Sequence, residues 1–134
     1  MNVETWREQI RIARESYKPD IIRCLLIAEA PPDEPERFFY YPEVKTADFL
    51  FLGIMDVLYP TEKSLYIKKK RPKAMKQELL RRFKEDGFYL EDLLSVPKSI
   101  ASDEEWRVAP EQLISRIKNI IRVDTPIILI KANV

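Results

Sequence analysis

The chain has 134 residues, with 23 basic and 22 acidic side chains, no histidine, one cysteine and two glycines. At 46% apolar and 34% charged it reads as one globular domain with a single core, too hydrophobic for disorder and without an apolar run that could span a bilayer. Without histidine there is no Ser-His or Cys-His nucleophile pair and little scope for zinc, the lone Cys24 excludes an internal disulfide or a multi-cysteine cluster, and there is no glycine-rich phosphate loop.

Residues 3–17 read as an amphipathic helix, with Val3, Trp6, Ile10, Ala13 and Tyr17 at helical spacing and Pro19 ending it. Ile21 to Ala28 is a short apolar run behind a proline, the pattern of a buried strand. Residues 29–46 form a long loop with four prolines and the aromatics Phe38, Phe39, Tyr40 and Tyr41, and a loop of that length is usually functional or mobile. Thr46 is placed to cap a helix reaching Tyr59, apolar on most faces and so expected to be deeply packed, with Pro60 as its stop. A mixed segment with the basic run KKKRPK at 68–73 follows. Pro72 suits the first turn of a helix through Asp86, closed by Gly87.

FYLEDLL at 88–94 is a second candidate strand. Ser102 and Glu105 form a capping-box pattern, expected to serve a short turn ahead of a helix over 110–123, whose buried face would hold Leu113, Ile114, Ile117, Ile120 and Ile121. After Pro126, Ile127 to Lys131 reads as a third buried strand. The order predicts an α/β three-layer sandwich on a small parallel sheet of three strands, in one domain spanning 1–134. An edge position for the third strand would expose apolar backbone and invite pairing into a homo-oligomer.

Charge is unevenly spread. Six acids and two bases lie between Glu29 and Asp48, against ten bases and four acids between Thr61 and Gly87. Abundant Glu, Lys, Arg and Ile with little Gly give the composition a thermophile-like cast. The start, MNVETWREQIR, has no apolar signal core, so a cytosolic protein is expected, without membrane, metal or cofactor. In an open α/β sheet, ligands bind beyond the carboxyl ends of the strands. Glu29-Ala30-Pro31-Pro32 follows the first strand, and Asp92 with Ser95 ends the second, so both are expected on one rim. Acids and flat rings on one rim suit a nucleobase. At least two of the four rings at 38–41 are expected to fold onto the core instead, and the plainer reading of KKKRPK is a solvated surface run.

"LLIAEAPP…RFFYY" and "GFYLEDLLSVP" resemble two motifs of the uracil-DNA glycosylase-like superfamily, nearest the branch whose first strand ends in Gly-Glu-Ala-Pro-Gly, and "PIILIKANV" is loosely similar to its third strand. The resemblance implies recognition or hydrolytic excision of a DNA base. It makes Glu29 the acid that polarises water or stabilises a cationic sugar, with Pro31 beside it, Phe38 or Phe39 the ring that stacks on the base, and Asp92 the base-reading group. Lys68, Lys69, Lys70, Arg71 and Lys73 would then hold DNA phosphates. The chain departs from the family pattern at several points. Ala28 and Pro32 replace two motif glycines, Asp92 replaces an Asn, and the iron–sulfur cysteines are missing. A fourth strand and a histidine motif have no counterpart, so a domain incomplete at its C-terminal end is expected. The alternative is a non-catalytic nucleic-acid-binding or oligomerising α/β module.

Overall fold

The structure, a computed structural model, describes residues 3–43 and 48–130. Among the described residues five α-helices and three parallel strands make a small α/β fold. Its contacts divide it into two compact units, each built from two stretches: Met1–Tyr17 with Glu34–Phe83, and Lys18–Asp33 with Lys84–Val134.

In the first unit, α1 (Val3–Ser16) buries Trp6, Ile10 and Ala13, while Arg11 pairs with Glu8 and Glu15 on its exposed face. A single 3-10 turn, Pro35–Arg37, leads into the aromatic run. Helix α2 (Phe49–Leu58) begins after Asp48, whose side chain makes no capping bond; Thr46, the expected cap, lies outside the described residues. The expectation of deep packing fails here. Phe51 and Met55, one turn apart, are fully buried, but Phe49 is 69% and Val57 80% exposed. An apolar circumference does not guarantee a neighbour on every side.

Pro60 stops α2 and also starts α3 (Pro60–Lys68), a helix where the sequence predicts only a mixed segment. A proline at the first helical position loses no hydrogen bond and arrives with its φ already helical. Helix α3 carries almost no apolar stripe, with Tyr66 its one buried residue, so periodicity could not reveal it. It ends in a Schellman turn, with Arg71 N–H donating to Tyr66 O (2.8 Å) and Lys70 N–H to Ile67 O (3.0 Å). Lys70 and Arg71 take φ of 65° and 56°, a region glycine normally fills. Helix α4 (Lys73–Glu85) buries Lys76, Leu79, Leu80 and Phe83.

The second unit holds the sheet. Strand β1 (Cys24–Ala28) lies between β2 (Phe88–Asp92) and β3 (Ile127–Leu129), all parallel. The register pairs Ala28 with Asp92 and Ile27 with Leu129. Strand β1 starts at Cys24 rather than Ile21, which is 55% exposed. The third strand forms, but it is not buried: Ile127, Ile128 and Leu129 are 46%, 49% and 77% exposed. Lys131, expected to end it, lies outside the described residues.

Helix α5 (Asp103–Ile117) is opened by the Ser102–Glu105 capping box itself, so the box serves the main helix and not a short turn ahead of it. Pro110, expected at the helix start, lies well inside and forfeits one backbone hydrogen bond there. Ala109, Leu113 and Ile117 are buried, whereas Ile114 is 59% exposed and Ile120 and Ile121 fall beyond the helix end. No helix among the described residues is long and apolar enough to cross a membrane.

Gly87 joins α4 to β2 at φ 85°, and its carbonyl accepts from the N–H of both Arg23 (2.7 Å) and Cys24 (3.2 Å). A Cβ there would stand 2.6 Å from Arg23 Cγ. Gly87→Ala should therefore lower unfolding free energy by about 1–3 kcal/mol, read as an earlier urea midpoint at unchanged slope.

Candidate functional site

Because Ala28 pairs with Asp92, Glu29 and Asp92 stand at the carboxyl ends of neighbouring strands. The ladder continues past the strands, with Leu93 N–H donating to Ala28 O (2.8 Å) and Leu94 N–H to Glu29 O (2.9 Å). The Glu29 side chain is 31% exposed and accepts Lys98 Nζ at 2.8 Å. The Ser99 hydroxyl donates to Asp33, so the 3-10 turn Lys98–Ile100 is tied twice to the segment after β1. On α5, Arg116 donates to the carbonyls of Asp92 (2.6 Å) and Leu93 (3.3 Å), and its Nε lies 3.8 Å from Glu91. Asp92 is 2% exposed, Pro31 is buried and Ser95 is exposed.

At this rim Glu29, Lys98 and Arg116 are engaged with one another's segments, Lys98 on Glu29 and Arg116 on the Asp92 and Leu93 carbonyls. The Lys98 ammonium sits on Glu29 Oε1, and such a partly exposed pair contributes little stability. Sequence reasoning found both acids of the rim and missed both cations. Lys98 and Arg116 lie in segments with no motif to mark them.

Phe38 and Phe39 belong to the first unit and are 1% and 2% exposed. Phe39 packs against Tyr40 (4.9 Å between centroids), Phe83 (5.0 Å) and Phe51 (5.5 Å). Phe38 meets Tyr40 at 5.7 Å and carries the Arg14 guanidinium 5.2 Å from its centroid. The faces on which a base would stack are already taken by protein, and Tyr40 is equally buried. Of the four rings only Tyr41 keeps a partly exposed position.

The basic run spans the end of α3, the left-handed turn and the start of α4. Lys68, Lys69 and Lys70 are exposed and make no ion pair among the described residues. Arg71 is half-buried, and Lys73 pairs with Glu43 at 2.9 Å.

One polar feature escaped the sequence reading. Lys76 and Asp48 are wholly buried and meet at 2.5 Å. Lys76 Nζ also donates to Phe38 O (3.3 Å) and lies 4.6 Å from the centre of the Phe51 ring. Burial pushes the Lys76 amine below its usual pKa, against the pull of the Asp48 carboxylate, and pushes the Asp48 carboxyl up, against the pull of Lys76. Burial, with the Asp48 charge adding to it, likewise raises Tyr66. Asp48 Oδ1 and the Tyr66 hydroxyl are buried without a hydrogen-bond partner among the described residues. The signal for this pair was in the sequence: Lys76 stands on the helical stripe that continues at Leu79, Leu80 and Phe83.

Among the described residues no three His, Cys, Asp or Glu side chains are grouped to hold a metal ion. Comparison of the chain with protein-family models, with curated proteins and with solved structures returned no match.

Lys76→Met leaves Asp48 buried without its paired ammonium and should cost about 3–5 kcal/mol, most of which Lys76→Met with Asp48→Leu should recover. Without Lys76 the Asp48 pKa rises further. The folded single variant then holds a proton that its unfolded chain has lost, so its deficit should shrink as pH falls from 7 towards 5 in urea titrations.

Proposed function

We propose that this chain is a non-catalytic nucleic-acid-binding α/β protein that grips phosphates with the turn between α3 and α4. The observation that carries this reading is the turn itself. Lys68, Lys69 and Lys70 are exposed and without an ion pair among the described residues, and a lysine and an arginine occupy the two left-handed positions where glycine costs least. Strain of about 1–2 kcal/mol retained for charge argues for a use of that charge. Contacts of this kind supply affinity for DNA without choice of sequence. In this reading the protein works in the cytosol, where its one thiol, Cys24, stays reduced.

The test is fluorescence anisotropy of single-stranded DNA across a salt series. Lys70→Gly should raise thermal stability, because it relieves the left-handed lysine, yet weaken binding and flatten the salt dependence by about 0.7 in logarithmic slope. Unchanged binding in that variant would reduce the run to solvated surface.

A second reading, uracil-DNA glycosylase-like base recognition or excision, draws support from the Ala28–Asp92 pairing, which sets two acids at adjoining strand ends. Glu29 would stabilise the cationic sugar that forms as the glycosidic bond breaks, whereas Asp92, the expected acceptor for the N3–H of uracil, is 2% exposed and would have to be uncovered first. The buried faces of Phe38 and Phe39 make it the lesser reading. Glu29→Gln should abolish any uracil release from DNA while leaving affinity nearly unchanged; release that persists in this variant removes Glu29 from the chemistry. Pairing of exposed β3 with a second copy belongs to the first, non-catalytic reading, and sedimentation at micromolar concentration should then show a dimer or larger species.

A further inference from the structure

We infer that a groove in the first unit, faced by Tyr17, Tyr41 and Gln77, is a stacking site for one unpaired base of the nucleic acid whose phosphates the basic turn holds. The inference rests on the phosphate-binding reading above and adds where the base goes.

The groove runs between the end of α1, residues 40–42 and the first half of α4, and encloses about 320 Å³. That is near the lower end of the range for small-molecule sites, roughly 300–1,000 Å³. Tyr40 is its floor, wholly buried, and Tyr17 lies nearly parallel on it, with centroids 6.2 Å apart and planes within 10°. Tyr17 and Tyr41 are half-buried, so each ring is held by protein and still reaches solvent. A stacking platform needs that combination, and Phe38 and Phe39 lack it.

The edges of the groove are polar. The carboxamides of Gln9 and Gln77 are exposed and make no hydrogen bond among the described residues. Each offers donors and an acceptor, so either can meet the edge of any base. Such contacts tolerate all sequences, in keeping with a phosphate grip that reads none.

Charge links the groove to the turn. Lys73 lies one helical turn before Gln77 on α4, on the same side. Its ammonium is close enough to Tyr17 to pull that hydroxyl's pKa down, while burial raises it overall. The nearby acids are engaged: Glu43 with Lys73, and Glu8 and Glu15 with Arg11. A strand laid along Lys68–Lys70 would reach Lys73 with its next phosphates and could turn a base in beside it.

The test pairs ultraviolet crosslinking of the unmodified protein to a 5-iodouridine oligonucleotide with anisotropy against an abasic strand of equal length. Adducts are expected on Tyr17 or Tyr41. Tyr41→Ala should weaken binding of the base-bearing strand about 5- to 100-fold at unchanged salt slope, and should remove its advantage over the abasic strand. Tyr41→Trp should keep both. Adducts elsewhere, with Tyr41→Ala binding like the unmodified chain while Lys70→Gly still weakens binding, would overturn the groove and leave the phosphate grip standing. Absence of salt-dependent binding to either strand would overturn both.

Discussion

A single desolvated ammonium organises the first unit. Lys76 Nζ has no access to water and makes three contacts in its place: the Asp48 carboxylate, the Phe38 carbonyl and the face of Phe51. The contacts come from two other pieces of chain, Phe38 after the 3-10 turn and Asp48 with Phe51 at the start of α2, so these two segments and α4 are held in one arrangement. The rings around it would pack in many ways, because apolar contact has no direction. A buried cation does not have that freedom, since any arrangement that lost one of its partners would leave charge unsolvated. The aromatic run at 38–40 is therefore explained by packing around this centre, with Phe39 touching three other rings and Tyr40 supporting Tyr17.

Polar chemistry is distributed over both units. In the second it gathers at the carboxyl ends of β1 and β2, where Glu29, Lys98, Asp33, Ser99 and Arg116 tie loops to strand ends. In the first it lies on the surface, as three exposed lysines at the end of α3 and its left-handed turn, and a tyrosine groove beside α4. The rim spends its cations on its own acids and carbonyls, while the turn leaves Lys68 to Lys70 to solvent. A polyanion would find its counter-charge at the turn and not at the rim.

Much of the fold was legible in the residues. The α/β alternation, α1, α4 and the cores of β1 and β2 follow from period and from proline and glycine punctuation. What stayed hidden has physical reasons. Helix α3 buries one residue and so has no stripe to read. Pro60 ends one helix and begins the next, and only the first role was recognised. Pro110 looks like a helix start, yet the Ser102–Glu105 box already opens the helix and the proline is tolerated inside it. The apolar residues of α2 and β3 promised burial, but hydrophobicity states a preference and cannot supply a neighbour: Val57 and Leu129 remain exposed. Glu29 and Asp92 were found at their strand ends because sheet geometry dictates where strands finish. Their neighbours Lys98 and Arg116 come from loop and helix faces that no local pattern brings to that rim. The basic run was visible as charge, whereas its left-handed backbone was not, since no glycine marks it.

The position of β3 has a consequence for how the second unit breathes. Three residues pair it to β1, all of them exposed, while β2 is buried on its far side from Tyr89 to Asp92. Little apolar area is lost from contact when β3 lifts away, and local opening costs least where burial is least. Its amides should exchange with deuterated solvent sooner than those of β2. Each such opening bares one edge of β1, so the central strand of the sheet is intermittently paired on the β2 side alone.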